Sequence, residues 1–319
     1  TSRVSFLNVS LVIIIWLYAG NFLFVCPDFV DGKIKQICTN TDNIGTKKQS
    51  AGNLQVTENG EMSENEKISE HTKHNKPKSD EDLGYYLSGL IEGDGHLSRR
   101  GFEIIFHEKD VQNAYYIKNI IGYGSISKVK NKKAYKLSIT NQAGRRKVWS
   151  LINGKLQGPY KIEQAIKHRY DTKFNCIILP EDNSYILKTF WLAGFADADG
   201  SFQIFIRNSK THKLGKNVTL VFRITQKYPE LINKISRALN GGTIFKSLSD
   251  NCYRYSTVSF SRAIFRANYF DNFSLQNNQK WLRYCYWKKA LLLVQNKEHL
   301  TVKGLEKMID LKMKINKLQ

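Results

Sequence analysis

From about residue 82 onward, apolar positions recur with two periods in turn. Phe202, Ile204 and Ile206 alternate with Ser201, Gln203, Phe205 and Arg207, the period of two that a half-buried strand requires. Tyr116, Ile117 and Ile120, and again Leu231, Ile235 and Leu239, have helical spacing and predict helices on the packed face of a sheet. The stretch Trp281 to Val294 is apolar on most faces and predicts a closing helix, with Thr301 as the N-cap of a final one. Upstream the pattern fails. Thr39 to Glu81 holds few large apolar residues and reads as an unfolded tether. Leu7 to Val25 is an uncharged apolar run, about the minimum for a membrane span. It reads equally as an anchor, a signal sequence or the remnant of another coding sequence joined upstream.

The pattern occurs twice. Leu87-Ser88-Gly89-Leu90-Ile91-Glu92-Gly93-Asp94-Gly95 matches Leu192-Ala193-Gly194-Phe195-Ala196-Asp197-Ala198-Asp199-Gly200 at an offset of 105. Phe102, Ile104 and Phe106 match Leu220, Phe222 and Ile224, and Gly124-Ser125-Ile126 matches Gly242-Thr243-Ile244, at an offset of 118. Tyr135 and Ser138 match Tyr253 and Ser256 at that same offset. The 13 extra residues are expected in one loop, around Asn208 to Asn217, which carries Lys210, Lys213 and Lys216. Each copy reads as a helix ending in Asp-Gly, two strands, a helix, two strands and a further helix.

Small residues four apart, Gly89 with Gly93 and Gly194 with Ala198, leave a groove on each motif helix where another backbone can come close. Packed together, the two helices would end side by side, with Asp94 and Asp199 adjacent. Both carboxylates then sit at the negative end of a helix, unfavourable by about 0.3–1 kcal/mol each, and repel one another. Divalent cations would offset this, since carboxylate and water oxygens are what Mg²⁺ and Ca²⁺ prefer. Glu92 and Asp197 project differently and are expected to bond backbone amides or the other copy. A single Asp-Gly is commonly no more than a helix end. Its duplication with the same neighbours favours chemistry.

Lys and Arg total 49 against 28 for Asp and Glu, a net charge of +21, which favours a polyanionic partner, nucleic acid first. Ribosomal and membrane-surface proteins share that bias, so charge alone does not decide. Cys26, Cys38, Cys176, Cys252 and Cys285 are odd in number and widely spaced, against a disulfide framework or a zinc ribbon.

Both nonapeptides resemble the signature of the LAGLIDADG homing endonucleases, in the single-chain, two-motif form. The second departs from the consensus only at Phe195-Ala196, the first at Ser88, Glu92 and Gly93. The resemblance runs from about residue 82 to the C-terminus and implies an α+β fold. It consists of two αββαββα units related by a pseudo-twofold axis, each with a four-stranded antiparallel DNA-binding saddle. The expected organisation is an apolar segment over 1–38, a disordered linker over 39–81, and domains over 82–175 and 176–319. The resemblance implies a metal-dependent DNA endonuclease using Mg²⁺, held by Asp94 and Asp199, that cuts both strands of a long asymmetric site as a monomer and promotes intron mobility. It further implies Glu108 and Gln226 as residues ordering the water network, and a lysine in each last loop, for which Lys161 and Lys280 are the candidates.

DNA contacts are expected at Ser98, Arg100, Gln203, Phe205, Arg207 and Arg223 for bases, and at Lys128, Lys130, Lys210, Lys213 and Lys246 for phosphates. Members of this family also include RNA maturases that bind their host intron, and a scaffold that has lost cleavage would be a plain DNA-binding protein. An intein is disfavoured, because the splicing blocks are missing. The upstream run and tether fit mitochondrial intron reading frames that continue from a host exon, which suggests a mitochondrial location.

Overall fold

The computed structural model describes residues 67–318, and the apolar run Leu7 to Val25 and the tether up to residue 66 lie outside them. The described chain consists of two units with the same order of elements. The first has α1 (Asp80–Asp94), β1 (Gly95–Ser98), β2 (Gly101–His107), α2 (Val111–Ile121), β3 (Ser125–Lys128), β4 (Ala134–Ile139), α3 (Gln142–Ile152), α4 (Pro159–Lys167) and α5 (Tyr170–Phe174). The second has α6 (Trp191–Asp199), β5 (Gly200–Asn208), β6 (Lys216–Gln226), α7 (Pro229–Ala238), β7 (Thr243–Lys246), β8 (Tyr253–Thr257), α8 (Phe260–Asn272), α9 (Asn278–Gln295) and α10 (Val302–Lys317). Each unit holds a four-stranded antiparallel sheet, ordered β1-β2-β4-β3 and β5-β6-β8-β7. The fold is α+β, as the pattern predicted. Thr301 does cap α10, accepting from the Gly304 amide.

Each sheet buries one face under helices. Leu97, Phe102, Ile104, Leu137 and Ile139 form the packed face of the first, and Phe202, Ile204, Phe222, Ile224 and Tyr255 that of the second. The opposite faces stay open. The cores meet along α1 and α6, which cross at backbone distance. A Cβ on Gly89 would fall 1.9 Å from the Trp191 carbonyl oxygen, and one on Gly194 would fall 2.0 Å from that of Tyr86. Tyr86 and Trp191 are themselves 105 apart, so the two contacts are one contact seen twice about a pseudo-twofold axis.

Strand register corrects one expected alignment. Gly95 pairs with Ile104 and Gly200 with Ile224, and those partners pair in turn with Leu137 and Tyr255. Ile104 therefore corresponds to Ile224, an offset of 120 and not 118, and Gln226 corresponds to Phe106, not to Glu108. The inserted residues do not form one loop. They lengthen the β5–β6 hairpin to nine pairs where β1–β2 has four, around a seven-residue loop in place of a two-residue turn. The first unit recovers two residues in a 3₁₀ turn, Glu108–Asp110, that the second lacks.

From Lys67 to Ser79 the chain is not a free tether. Ile68 is buried and its amide donates to Gln295 Oε1, His74 stacks on Trp281 with ring centroids 4.7 Å apart, and Asn75 is bonded to Ser274, Asp271 and Asn272. The buried Lys288 ammonium donates to the His71 carbonyl and pairs with Asp271 at 2.5 Å. This strap belongs to the folded body, ahead of the boundary expected at 82. Among the described residues no helix is long and apolar enough to cross a membrane.

Two substitutions on the helix pair should act in opposite directions. Gly194→Ala forces the helices apart and should cost about 3 kcal/mol or more. Ser88→Ala removes a fully buried hydroxyl that bonds nothing and should leave stability unchanged or raise it by roughly 1 kcal/mol. Thermal melts of both variants beside the parent chain check the pair.

Candidate active site between the motif helices

Asp94 and Asp199 are the last residues of α1 and α6. The helix ends touch, since a Cβ on Gly93 would lie 2.2 Å from the Ala198 Cβ and 3.2 Å from Asp199 Oδ2. Neither helix has a basic residue in its last turn. Burial pushes the Asp199 carboxyl up to about 7, and Asp94 beside it adds to the rise. Asp94 keeps solvent access, yet desolvation raises its pKa too, with a further push from Asp110. The ammonium groups of Lys280 and Lys161 oppose both shifts.

Those lysines close the site from both sides, through different carbonyls. Lys161 Nζ donates to the Gly95 carbonyl at 2.5 Å, and Lys280 Nζ donates to the carbonyls of Ala196 and Ala198 at 3.2 and 2.6 Å. Each ammonium thereby sits on main-chain carbonyls at the end of its motif helix, the negative end of the helix dipole. Glu92 and Asp197 hold the loops that deliver them. Glu92 accepts from the Gln157 and Gly158 amides and from Trp191 Nε1, at 2.9, 2.7 and 2.6 Å. Asp197 accepts from the Gln276 and Asn277 amides and from the Tyr86 hydroxyl, at 2.7, 3.1 and 2.9 Å. Both carboxylates thus bond backbone amides and the other copy. Burial raises each to about 7 despite these donors.

The sequence profile of the LAGLIDADG endonucleases matches residues 192–291. An uncharacterised cox1 intron-2 protein of Schizosaccharomyces pombe is 42% identical over 267 residues, 80% of this chain and 81% of that protein. The chain belongs to the LAGLIDADG endonuclease family. The intron-encoded DNA endonuclease aI3 of Saccharomyces cerevisiae is 24% identical, with 73% of this chain and 68% of that protein covered. Among solved structures, the LAGLIDADG homing endonuclease I-SmaMI bound to cleaved DNA aligns with a TM-score of 0.58 at 23% identity, over 79% of this chain and all of that one. That likeness supports the fold.

In this LAGLIDADG chain the residues expected at the centre divide as follows. Asp94, Asp199, Lys161 and Lys280 come together. Gln226 also joins them, donating to Asp199 Oδ2 at 3.0 Å. Glu108 does not stand in the equivalent place, because the register gives that place to the buried Phe106. The acidic residue of that turn that acts on the centre is Asp110, which the sequence comparison missed. No sequence signal marked it, because the offset of 120 in the strand emerges only from the register.

On the open face of the second sheet, cross-strand pairs align Ser201 with Arg223, Gln203 with Val221, Phe205 with Thr219 and Arg207 with Asn217. Gln203, Phe205, Arg207 and Arg223 therefore share one face, as expected, and Arg254 joins them opposite Thr225. Gln203 Oε1 and Arg223 Nε are buried without a partner in the protein. On the first sheet, Ser98 is spent on the β1–β2 turn, accepting from the amides of Arg100 and Gly101, while Arg100 is exposed at its tip. Lys128 and Lys246 sit at strand ends on the packed parity, exposed, opposite Tyr135 and Tyr253. Lys130, Lys210 and Lys213 are exposed in turns and loops.

The raised carboxylates set a sign for the pH dependence of stability. A carboxyl near 3.8 when unfolded and about 7 when folded favours folding most below 3.8, and that advantage is lost as pH rises to about 7. The metal-free protein should therefore lose stability between those values and level off above them. Asp199→Asn should match the parent at pH 4 and melt higher at pH 8, measured by thermal unfolding across that range in a chelating buffer.

Proposed function

We propose that the chain is a site-specific DNA endonuclease that hydrolyses one phosphodiester bond in each strand with divalent metal and acts in intron homing. The observation that carries this is the meeting of Asp94 and Asp199 at the ends of two packed helices, flanked by Lys161 and Lys280 and set between two open sheet faces. The carboxylates suit Mg²⁺ by their hard oxygen donors. Among the described residues no third acidic, His or Cys side chain completes a metal set, so the other ligands would be water and the phosphates of DNA. A divalent ion held by Asp94 and Asp199 would supply polarisation of the phosphate and a lowered pKa for water. The chain's own groups place the phosphate. Lys161 and Lys280 bring positive charge to the pair, and Gln226 orients Asp199. The oxygen of water bonds to phosphorus as the bond to the 3′ oxygen breaks. That oxygen leaves with a proton from solvent.

The open sheet faces, with Arg207 stacked on Phe205 and with Arg223 Nε and Gln203 Oε1 lacking protein partners on the second, suit the major groove of a long asymmetric duplex. Intron-encoded relatives such as the cox1 intron-2 protein favour a mitochondrial setting and a target at an exon junction. The test is Mg²⁺-dependent cleavage, by the full chain, of a duplex spanning the intron-free insertion site. Double-strand cutting that falls by at least about 10³-fold in Asp94→Asn and Asp199→Asn is the expected result. Tight binding to the intron RNA with no cutting would replace the endonuclease with a maturase.

A further inference from the structure

The two lysine loops, alike at the helix ends, face different surroundings. Beside Lys161, Tyr160 stacks on Tyr228 with ring centroids 3.6 Å apart, its hydroxyl donating to Glu230 at 2.5 Å, and the remaining cavity is about 70 Å³. Beside Lys280, the corresponding positions are Gln279 and Asp110, and they leave a cavity of about 210 Å³. His107, Lys109 and Arg283 complete its wall. Two atoms of these residues, Asp110 Oδ1 and Arg283 Nε, are buried without a hydrogen-bond partner in the protein. A cavity of this size has room for several waters, and the two orphan polar atoms would give them fixed partners.

The difference continues at the carboxylates. Asp199 has Gln226 on it, whereas the equivalent place beside Asp94 is filled by the apolar Phe106, which can orient neither a carboxylate nor a water. The 3₁₀ turn found only in the first unit brings Asp110 into electrostatic contact with Asp94 and Lys280 instead. Asp110 is not close enough to both aspartates to share a metal directly.

Resting on the endonuclease reading, we propose that Asp110 positions water for the Asp94 centre through the cavity beside Lys280, in the role Gln226 fills at Asp199. The two centres are then chemically inequivalent. Each variant should affect one DNA strand. Arg283 orders the far side of the same cavity, its guanidinium held by the Leu318 carbonyl.

The experiment is single-turnover cleavage of a duplex labelled differently on its two strands, by the full chain in Mg²⁺. Asp110→Asn should slow one strand by roughly 10–100-fold and accumulate nicked duplex. Gln226→Leu should slow the other strand. Asp110→Glu, which keeps a carboxylate at the cavity, should restore most of the lost rate, a recovery that a packing role would not produce. Equal slowing of both strands by Asp110→Asn, or slowing of neither in a variant that melts like the parent, overturns the inference and leaves the endonuclease reading intact. Failure of the parent chain to cut either strand overturns both.

Discussion

The approach of α1 and α6 to backbone contact is the constraint on which the rest of the site depends. Gly89 and Gly194 each meet a carbonyl of the other helix, so any side chain there separates the helices. Separation at the crossing would widen the gap between the helix ends, and with it the gap between Asp94 and Asp199. The clamps are registered to the same pair. Glu92 and Asp197 reach from these helices to the amides preceding α4 and α9, and Trp191 and Tyr86 reach back across the interface to hold them. Moving one helix would move a carboxylate, a lysine loop and the opposite clamp together.

This arrangement is built at a cost in stability. Glu92, Asp197 and Asp199 all have carboxyl groups raised by desolvation, and Asp94 and Asp199 add mutual repulsion at the negative ends of two helices. The clamps recover part of that through three hydrogen-bond donors each. Asp94 has none of those donors, and Asp199 has one side-chain amide. The groups with fewest protein partners are the two whose charge a cation and a phosphate would use. A site made stable by its own hydrogen bonds would have less to gain from binding either.

Much of this was legible because it is written twice. The nonapeptide repeat located both helices, both aspartates and both clamps, and the alternation from Ser201 to Arg207 placed four side chains on the open face. The register of β6 was not legible, for a physical reason. Side chains in a strand alternate with period two, so a slip of two residues leaves every apolar position on its proper face. Phe102, Ile104 and Phe106 match Leu220, Phe222 and Ile224 better than they match the true partners Phe222, Ile224 and Gln226, because Gln226 breaks the apolar alternation. That slip put Glu108 opposite Gln226 and hid Asp110. The strap over 67–79 was missed differently. It docks through one isoleucine, one stacked imidazole and hydrogen bonds from polar side chains, none of which leaves a periodic trace.

Joining the two copies in one chain removes the requirement that they stay equal, and several departures lie where a duplex would be read or cut. The second sheet gains five pairs on its first hairpin and carries Arg207 and Arg223 on its open face, beside an Arg254 paired to Asp250. The first keeps a short hairpin, and there Lys136 is paired with Glu103 at 2.9 Å on the open face. Arg207 and Arg223, without a carboxylate partner among the described residues, would be free to meet a base edge, while a lysine already bound to a carboxylate would first have to break that pair. The cores and the helix crossing hold to the pseudo-twofold axis, whereas the faces and the cavities beside the lysines do not. Symmetry is thus kept at the helix crossing and abandoned on the open faces and beside the lysines, where an asymmetric sequence would be contacted.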